Sequence, residues 1–246
     1  MSYQLHYWPR IQGRGEFIRL ALEAAGAPYV DVARGDDAAG QGMSAMAHYL
    51  DDESIIRPPF ACPFLVDGKR VIGQTAAILL YLGPRLGLVG ASEDQRLWTH
   101  QIQLTIADFV VEAHDLHHPL GATLYYEDQK PEALRRAAEF RKQRLPKFLS
   151  WFEAILKRNP GNKAGRAPHL VGAKLSYADL SLFQVVEGLN YAMPKAAGKA
   201  LKKTPGVVAV HEAVARHKRI AAYLASERRL PFNEEGIFRH YPELDG

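Results

Sequence analysis

The spacing of apolar residues changes character part-way along the chain. Up to about residue 84, short alternating runs are interleaved with helical ones; from about Ser92 only helical periods remain. YQLHYW (3–8) alternates as a strand does. GEFIRLALEAAG (15–26) puts apolar residues at i, i+3 and i+4 and stops on Gly26, which predicts a helix. YVDVA (29–33) predicts a second strand, and strand–helix–strand in close succession favours a right-handed parallel unit. RGDDAAGQGMSAMAHYLDD (34–52) keeps no clear period and predicts irregular chain with one weak helix. PFLV and KRVIG flank Asp67-Gly68, a strong short hairpin signal. QTAAILLYLGPRLGL (74–88) predicts a helix ended by Gly83 and Pro84.

The second half predicts long helices over about 92–120, 131–158, 176–191 and 205–218. GASED (90–94) supplies the linker, with Ser92 as a helix cap. LSYADL (175–180) has Ser176 and Asp179 spaced as a capping box, and Leu175 and Leu180 spaced as a hydrophobic staple. The fold class is therefore α/β plus all-α: a βαβ-ββα domain over 1–84 followed by a helical domain over 92–246. There is no internal repeat and no low-complexity tract.

Composition narrows the function classes. The chain has 246 residues, 47% of them hydrophobic and 24% charged, which is globular. No apolar run approaches the roughly 18 residues of a membrane span, and MSYQLHYWPR does not read as a signal peptide. A single cysteine excludes an intrachain disulfide and a cysteine zinc cluster. The expectation is a cytoplasmic protein with no membrane partner. The net charge of +4 is dispersed, and its densest cluster, KAAGKALKK (195–203), has helical spacing and no aromatics to stack bases. That reads as a solvated helix face rather than a nucleic-acid site, though a basic surface favours an anionic small ligand.

With these features in order, the chain resembles the cytosolic glutathione transferases from end to end. HYWPRIQGRGEFIRLALEAAG resembles the first strand and helix of the tyrosine-type classes (alpha, mu, pi and sigma), one residue longer between Tyr7 and Arg14 than the pi-type pattern. CPFLVDGKRVIGQTAAILLYLG resembles the cis-proline, hairpin and Gln-Ser/Thr helix start of the family's thioredoxin-like half. LSYADL resembles its helical-domain capping box.

The resemblance implies that Tyr7 activates the glutathione thiol, with Arg14 adding positive potential. A free thiol of pKa about 8.5 is only about 3% ionised at pH 7. A phenol hydroxyl that donates to sulfur favours the thiolate by roughly 1.5–3 kcal/mol, a fall of about one to two in pKa. Tyr7 then acts as a neutral donor and needs no base. On spacing alone Tyr7 is an ordinary strand aromatic, and Ser2 and Tyr3 are neighbours that could act instead.

The resemblance also implies the binding residues. Gln74 and Thr75, at a helix start, would hold the γ-glutamyl carboxylate through backbone N–H groups and the dipole; Thr75 as a plain helix cap is the alternative. Asp108 would reach the γ-glutamyl ammonium in the partner subunit of a homodimer. Cys62, directly before Pro63, would offer its backbone to the cysteinyl part of glutathione as an added strand does; the cis form of Cys62–Pro63 is likewise implied by the family. Trp8, His114 and His118 would line the pocket for a hydrophobic electrophile, with His118 a candidate proton donor. His114, His117 and His118 are spaced to share one helix face, but without a further ligand they are not read as a metal site. The co-substrate is glutathione, with no metal. The residues for the glycyl carboxylate stay unplaced, Arg57 being a candidate, and whether LPFNEEGIFRHYPELDG (230–246) covers the pocket is open. A glutathione-dependent isomerase resembling prostaglandin synthases, or a non-catalytic carrier of glutathione or hydrophobic ligands, would keep the same fold.

Overall fold

The computed structural model describes residues 2–246. Its first half runs β1 (Tyr3–His6), α1 (Gly15–Ala25), β2 (Tyr29–Asp31), α2 (Gly42–Asp51), β3 (Phe64–Asp67), β4 (Arg70–Gly73) and α3 (Thr75–Arg85). The four strands form one sheet in the order β2-β1-β3-β4, with β1 parallel to β2 and antiparallel to β3, and β4 antiparallel to β3. Leu5 and Leu65 meet Ile18 and Leu22 of α1 and Ile78 and Leu82 of α3 in a dry core on one face. Burying each such side chain stabilises the fold by about 1.5–3 kcal/mol.

The second half is helical: α4 (Glu93–His114), α5 (Lys130–Glu139), a π-helical turn (Phe140–Arg144), α6 (Leu145–Arg158), α7 (Tyr177–Ala192), α8 (Pro194–Leu201), α9 (Pro205–Ala215), α10 (Lys218–Leu224) and α11 (Pro242–Asp245). α7 lies at its centre and is buried on nearly every side. Its capping box forms: Asp179 accepts from Ser176 N–H and Oγ–H at 2.8 Å each, and also from Leu170 N–H at 2.7 Å. Among the described residues no helix is long and apolar enough to cross a membrane.

α1 binds the halves together. Its sheet-facing side carries Ile18 and Leu22, while Phe17, Leu20, Ala21 and Ala24 enter the helical core. It also buries charge. Glu16 accepts from Tyr223 Oη–H at 2.7 Å and from the Arg229 guanidinium, and Arg19 donates through Nε to Asp31 at 2.6 Å. Buried ions tolerate desolvation only when paired in this way.

Four predicted elements end differently. The hairpin turn is Gly68-Lys69, not Asp67-Gly68, because Asp67 pairs with Arg70 across the strands. Positive φ falls on Gly68, the first loop residue, as in a type II′ turn. α3 runs through Gly83 and Pro84; a Cβ at residue 83 would lie 2.7 Å from the Tyr177 ring, so that glycine serves a close helix contact. α4 stops at His114, where i→i+3 bonds from Leu116 and His117 tighten the chain ahead of Pro119. The predicted 131–158 helix carries its π turn just ahead of Pro146, whose ring and missing N–H break the i→i−4 ladder.

Candidate functional site

Tyr7 follows β1 and is only 3% exposed. Its ring lies in a cradle made by Gly13, Arg14 and Gly15. A Cβ on residue 13 would stand 2.1 Å from the Tyr7 hydroxyl, and one on residue 15 would stand 2.5 Å from the ring. Gly13 also has φ +43°, which L side chains rarely adopt. The backbone N–H of Arg14 donates to the Tyr7 oxygen at 2.8 Å. The phenol therefore accepts one hydrogen bond and keeps its own proton free for a further acceptor. Burial pushes the phenol pKa up against the opposing pull of Arg14, so Tyr7 is a neutral donor at physiological pH. Arg19 lies 5.9 Å from the ring centroid.

Arg14 also ties this cradle to the start of α3. Its carbonyl accepts from Thr75 Oγ at 3.4 Å. The residue at the helix cap is Gln74, in a left-handed conformation with φ 64°, and no side chain caps the helix. Thr75 is thus not the helix cap; its hydroxyl turns away to the Arg14 loop. The uncapped N–H groups of the first turn are left for an anion. Beside them lies a cavity of about 470 Å3 lined by Arg14, Gln74, Thr75, Gln103, Leu104 and Val111 among others. Tyr7 does not line it. Gln103 is 2% exposed, and its side-chain oxygen has no partner.

The Cys62–Pro63 peptide is cis. Burial pushes the Cys62 thiol up from its ordinary pKa, the opposite of what a nucleophilic cysteine needs. Trp8, at 44% exposure, stands at the surface beside this segment of chain. Asp108 is exposed on α4 and, among the described residues, pairs with no cation of its own chain. Arg57 lines a shallow cavity with Tyr49, Val66 and the hairpin residues Gly68 to Ile72.

The histidines do not share a helix face, because α4 ends at His114. They still meet, with ring centroids 4.7–5.2 Å apart. Each is engaged: His114 Nδ1 lies 3.2 Å from Asp115, His117 Nε2–H donates to Ile237 O at 2.8 Å, and His118 Nδ1 accepts from Gln129 at 3.2 Å. Burial is the main cause that lowers all three pKa values, His117 to about 3. A neutral His118 has no extra proton to offer at pH 7, which weakens its reading as a proton donor. Among the described residues no group of three or more His, Cys, Asp or Glu side chains is placed to hold a metal ion.

The C-terminal tail joins the loop after Tyr7 to this cluster. Gln12 donates to Leu230 O, Asn233 donates to Arg10 O at 2.9 Å, and Arg10 pairs with Glu235 at 3.0 Å. Ile237 then receives His117, and Tyr241 stacks on Tyr126 at 3.8 Å. The Gly13/Gly15 cradle and Gln103 were missed in the sequence. The Gly-Arg-Gly run held a usable signal for the first; nothing local marked the second.

A four-stranded mixed sheet of this topology, with a helix started after a cis-proline hairpin and a helical second half, defines a thioredoxin-like domain joined to an all-helical one. Residues 114–227 match the family model described as "Glutathione S-transferase, C-terminal domain". The chain is 28% identical to glutathione S-transferase P 1 of Xenopus laevis, over 93% of this chain and 94% of that one. It is 24% identical to a Plasmodium falciparum glutathione S-transferase, over 90% and 95%. Its fold matches the pi-class glutathione S-transferase of Onchocerca volvulus with TM-score 0.70 and 25% identity, covering 96% of this chain and 99% of that one. It also matches prostaglandin synthase D of Nilaparvata lugens with TM-score 0.68 at 20% identity, covering 94% and 100%, a likeness of fold. Over nine-tenths of its length the chain is similar to glutathione S-transferases, and residues 114–227 match that family's C-terminal domain.

Proposed function

We propose that the protein is a tyrosine-type glutathione transferase that activates the glutathione thiol for attack on hydrophobic electrophiles. The observation that carries this reading is the buried Tyr7 phenol, which accepts from Arg14 N–H and has its own proton unspent. Donated to sulfur, that proton favours the thiolate, and the accepted bond polarises the donor further. Arg14 adds positive potential. The sulfur attacks the electrophile and displaces its leaving group, or adds to an activated double bond, whose electron pair moves to the neighbouring carbon and is protonated from solvent.

In this reading residues 1–84 bind glutathione. Gln74 and Thr75 hold the γ-glutamyl carboxylate at the uncapped start of α3, and the backbone at Cys62, before Pro63, pairs with the cysteinyl residue. Residues 92–246 supply the electrophile side, with Trp8, His114 and His118 as walls and the C-terminal tail across them. The protein acts in the cytoplasm as a homodimer in which Asp108 serves the partner's site. Leu97, Leu104 and Val111, spaced by sevens and exposed along α4, support such an interface.

The test follows glutathione and product together with a hydrophobic electrophile. Stoichiometric loss of glutathione is expected. Product without consumption would instead make the protein an isomerase, and a measurable glutathione affinity with no turnover would make it a carrier.

A further inference from the structure

Away from the Tyr7 site, a cavity of about 590 Å3 lies between the α5–α6 rod and α8 and is closed at one end by Asp245 and Gly246. That volume is within the range of small-molecule sites. Five cations line it: Arg141 and Lys142 from the π-helical turn, Lys195 and Lys199 from α8, and Lys203 just beyond α8. Its one lining aspartate is already committed, because Asp245 accepts from the N–H groups of Lys195 and Ala196 at 2.9 Å each. Arg141 donates to Leu244 O and Lys195 to Gly246 O, so these two cations hold the C-terminal turn in place.

Lys142, Lys199 and Lys203 have no Asp or Glu carboxylate within 4.0 Å among the described residues. Lys195 and Lys199 stand four apart in α8, where like charges oppose helix formation by about 0.2–0.5 kcal/mol per pair, and Lys203 follows just past the helix end. Arg144, in the same π turn, shows what a structural cation does here: it turns the other way and pairs with Glu112 of α4. Arg141 and Lys142 face the cavity instead, and π turns of this kind are frequent at functional sites. The apolar part of the lining is Ala138, Pro146, Ala196 and Ala200, with the fully buried Leu149 beneath. A basic rim over an apolar floor suits an anion with both charge and carbon.

From this arrangement we infer a second ligand site, separate from the Tyr7 site, for a phosphorylated small organic molecule of charge −2 or more. The phosphoryl groups lie against Lys142, Lys199 and Lys203, and the organic part rests on Pro146 and the alanines. Calorimetric titration of the full chain with ATP should show one saturable site per chain, at least tenfold weaker for adenosine and for inorganic triphosphate. Lys199→Glu/Lys203→Glu should lower ATP affinity at least tenfold, abolish the ATP-induced rise in melting temperature and leave glutathione turnover unchanged. Raising salt should weaken ATP binding, as expected for lysine–phosphate contacts. Absence of saturable ATP binding, equal binding by inorganic triphosphate, or affinity unmoved by the double variant would each overturn the inference. None of these results depends on whether the Tyr7 site turns over.

Discussion

Tyr7 and the histidine cluster are both groups of buried, titratable rings, joined by the same C-terminal tail, and they are satisfied in opposite ways. Tyr7 accepts a single backbone hydrogen bond and keeps its proton free. His117 uses its one N–H on Ile237 O and His114 turns Nδ1 to Asp115, while His118 accepts at Nδ1 from Gln129. Burial raises the phenol pKa and lowers the imidazole pKa values, so each ring is kept neutral. Neutrality leaves a usable donor at Tyr7 and a spent one at His117. Between Tyr7 and His117 the difference is the unspent hydrogen bond, not the degree of burial.

The most severe way to break that contrast is Gly13→Ala. The new Cβ would collide with the Tyr7 hydroxyl at 2.1 Å on a backbone at φ +43°, so conjugating activity should fall below that of any Tyr7 variant, with a lower melting temperature. Tyr7→Phe removes only the donor. Its kcat/KM for conjugation at neutral pH should fall about 8- to 25-fold, the drop in thiolate fraction when the thiol pKa rises by about one to two to its free value of about 8.5. Glutathione affinity should hold, while the thiolate absorbance should move to a pH higher by about one to two. Full activity in this variant would remove Tyr7 from the mechanism.

His117→Gln should leave turnover near that of the parent and change stability instead. The folded-state pKa of His117, about 3, is below the ordinary 6.5. The unfolded chain therefore binds more protons between those values, and the stabilisation present above about pH 6.5 is lost as pH falls. Melting temperatures from pH 7 to pH 4 should decline less steeply in the variant than in the parent. The smallest effect is expected for Cys62→Ala, which should keep conjugating activity within about twofold, since what the site uses at that position is backbone. A dead Cys62→Ala protein would reopen a thiol mechanism.

Much of the frame was legible in the residues themselves. The Gly26 stop of α1, the Ser92 cap and the Ser176/Asp179 box are local signals, and each stands where the pattern put it. Short-range steric and hydrogen-bond preferences decide such points, so the sequence carries them. α10 and α11 escaped because they are short, with 7 and 4 residues, whereas α8 was legible as the helical spacing of 195–203. Gly83 was misread because a helix stop and a tight helix contact ask for the same residue, and only Tyr177 from the other half tells them apart.

By itself, then, the sequence determined the order of elements, the two-part architecture and the residue types able to activate a thiol. Tertiary structure alone decided which buried rings kept a free hydrogen bond, that the start of α3 is uncapped, and that lysines spaced along α8 face Arg141 and Lys142 across one cavity. The reason is physical: periodicity and capping are set within a few residues, whereas satisfying a buried polar atom or gathering like charges depends on segments that are distant in the chain.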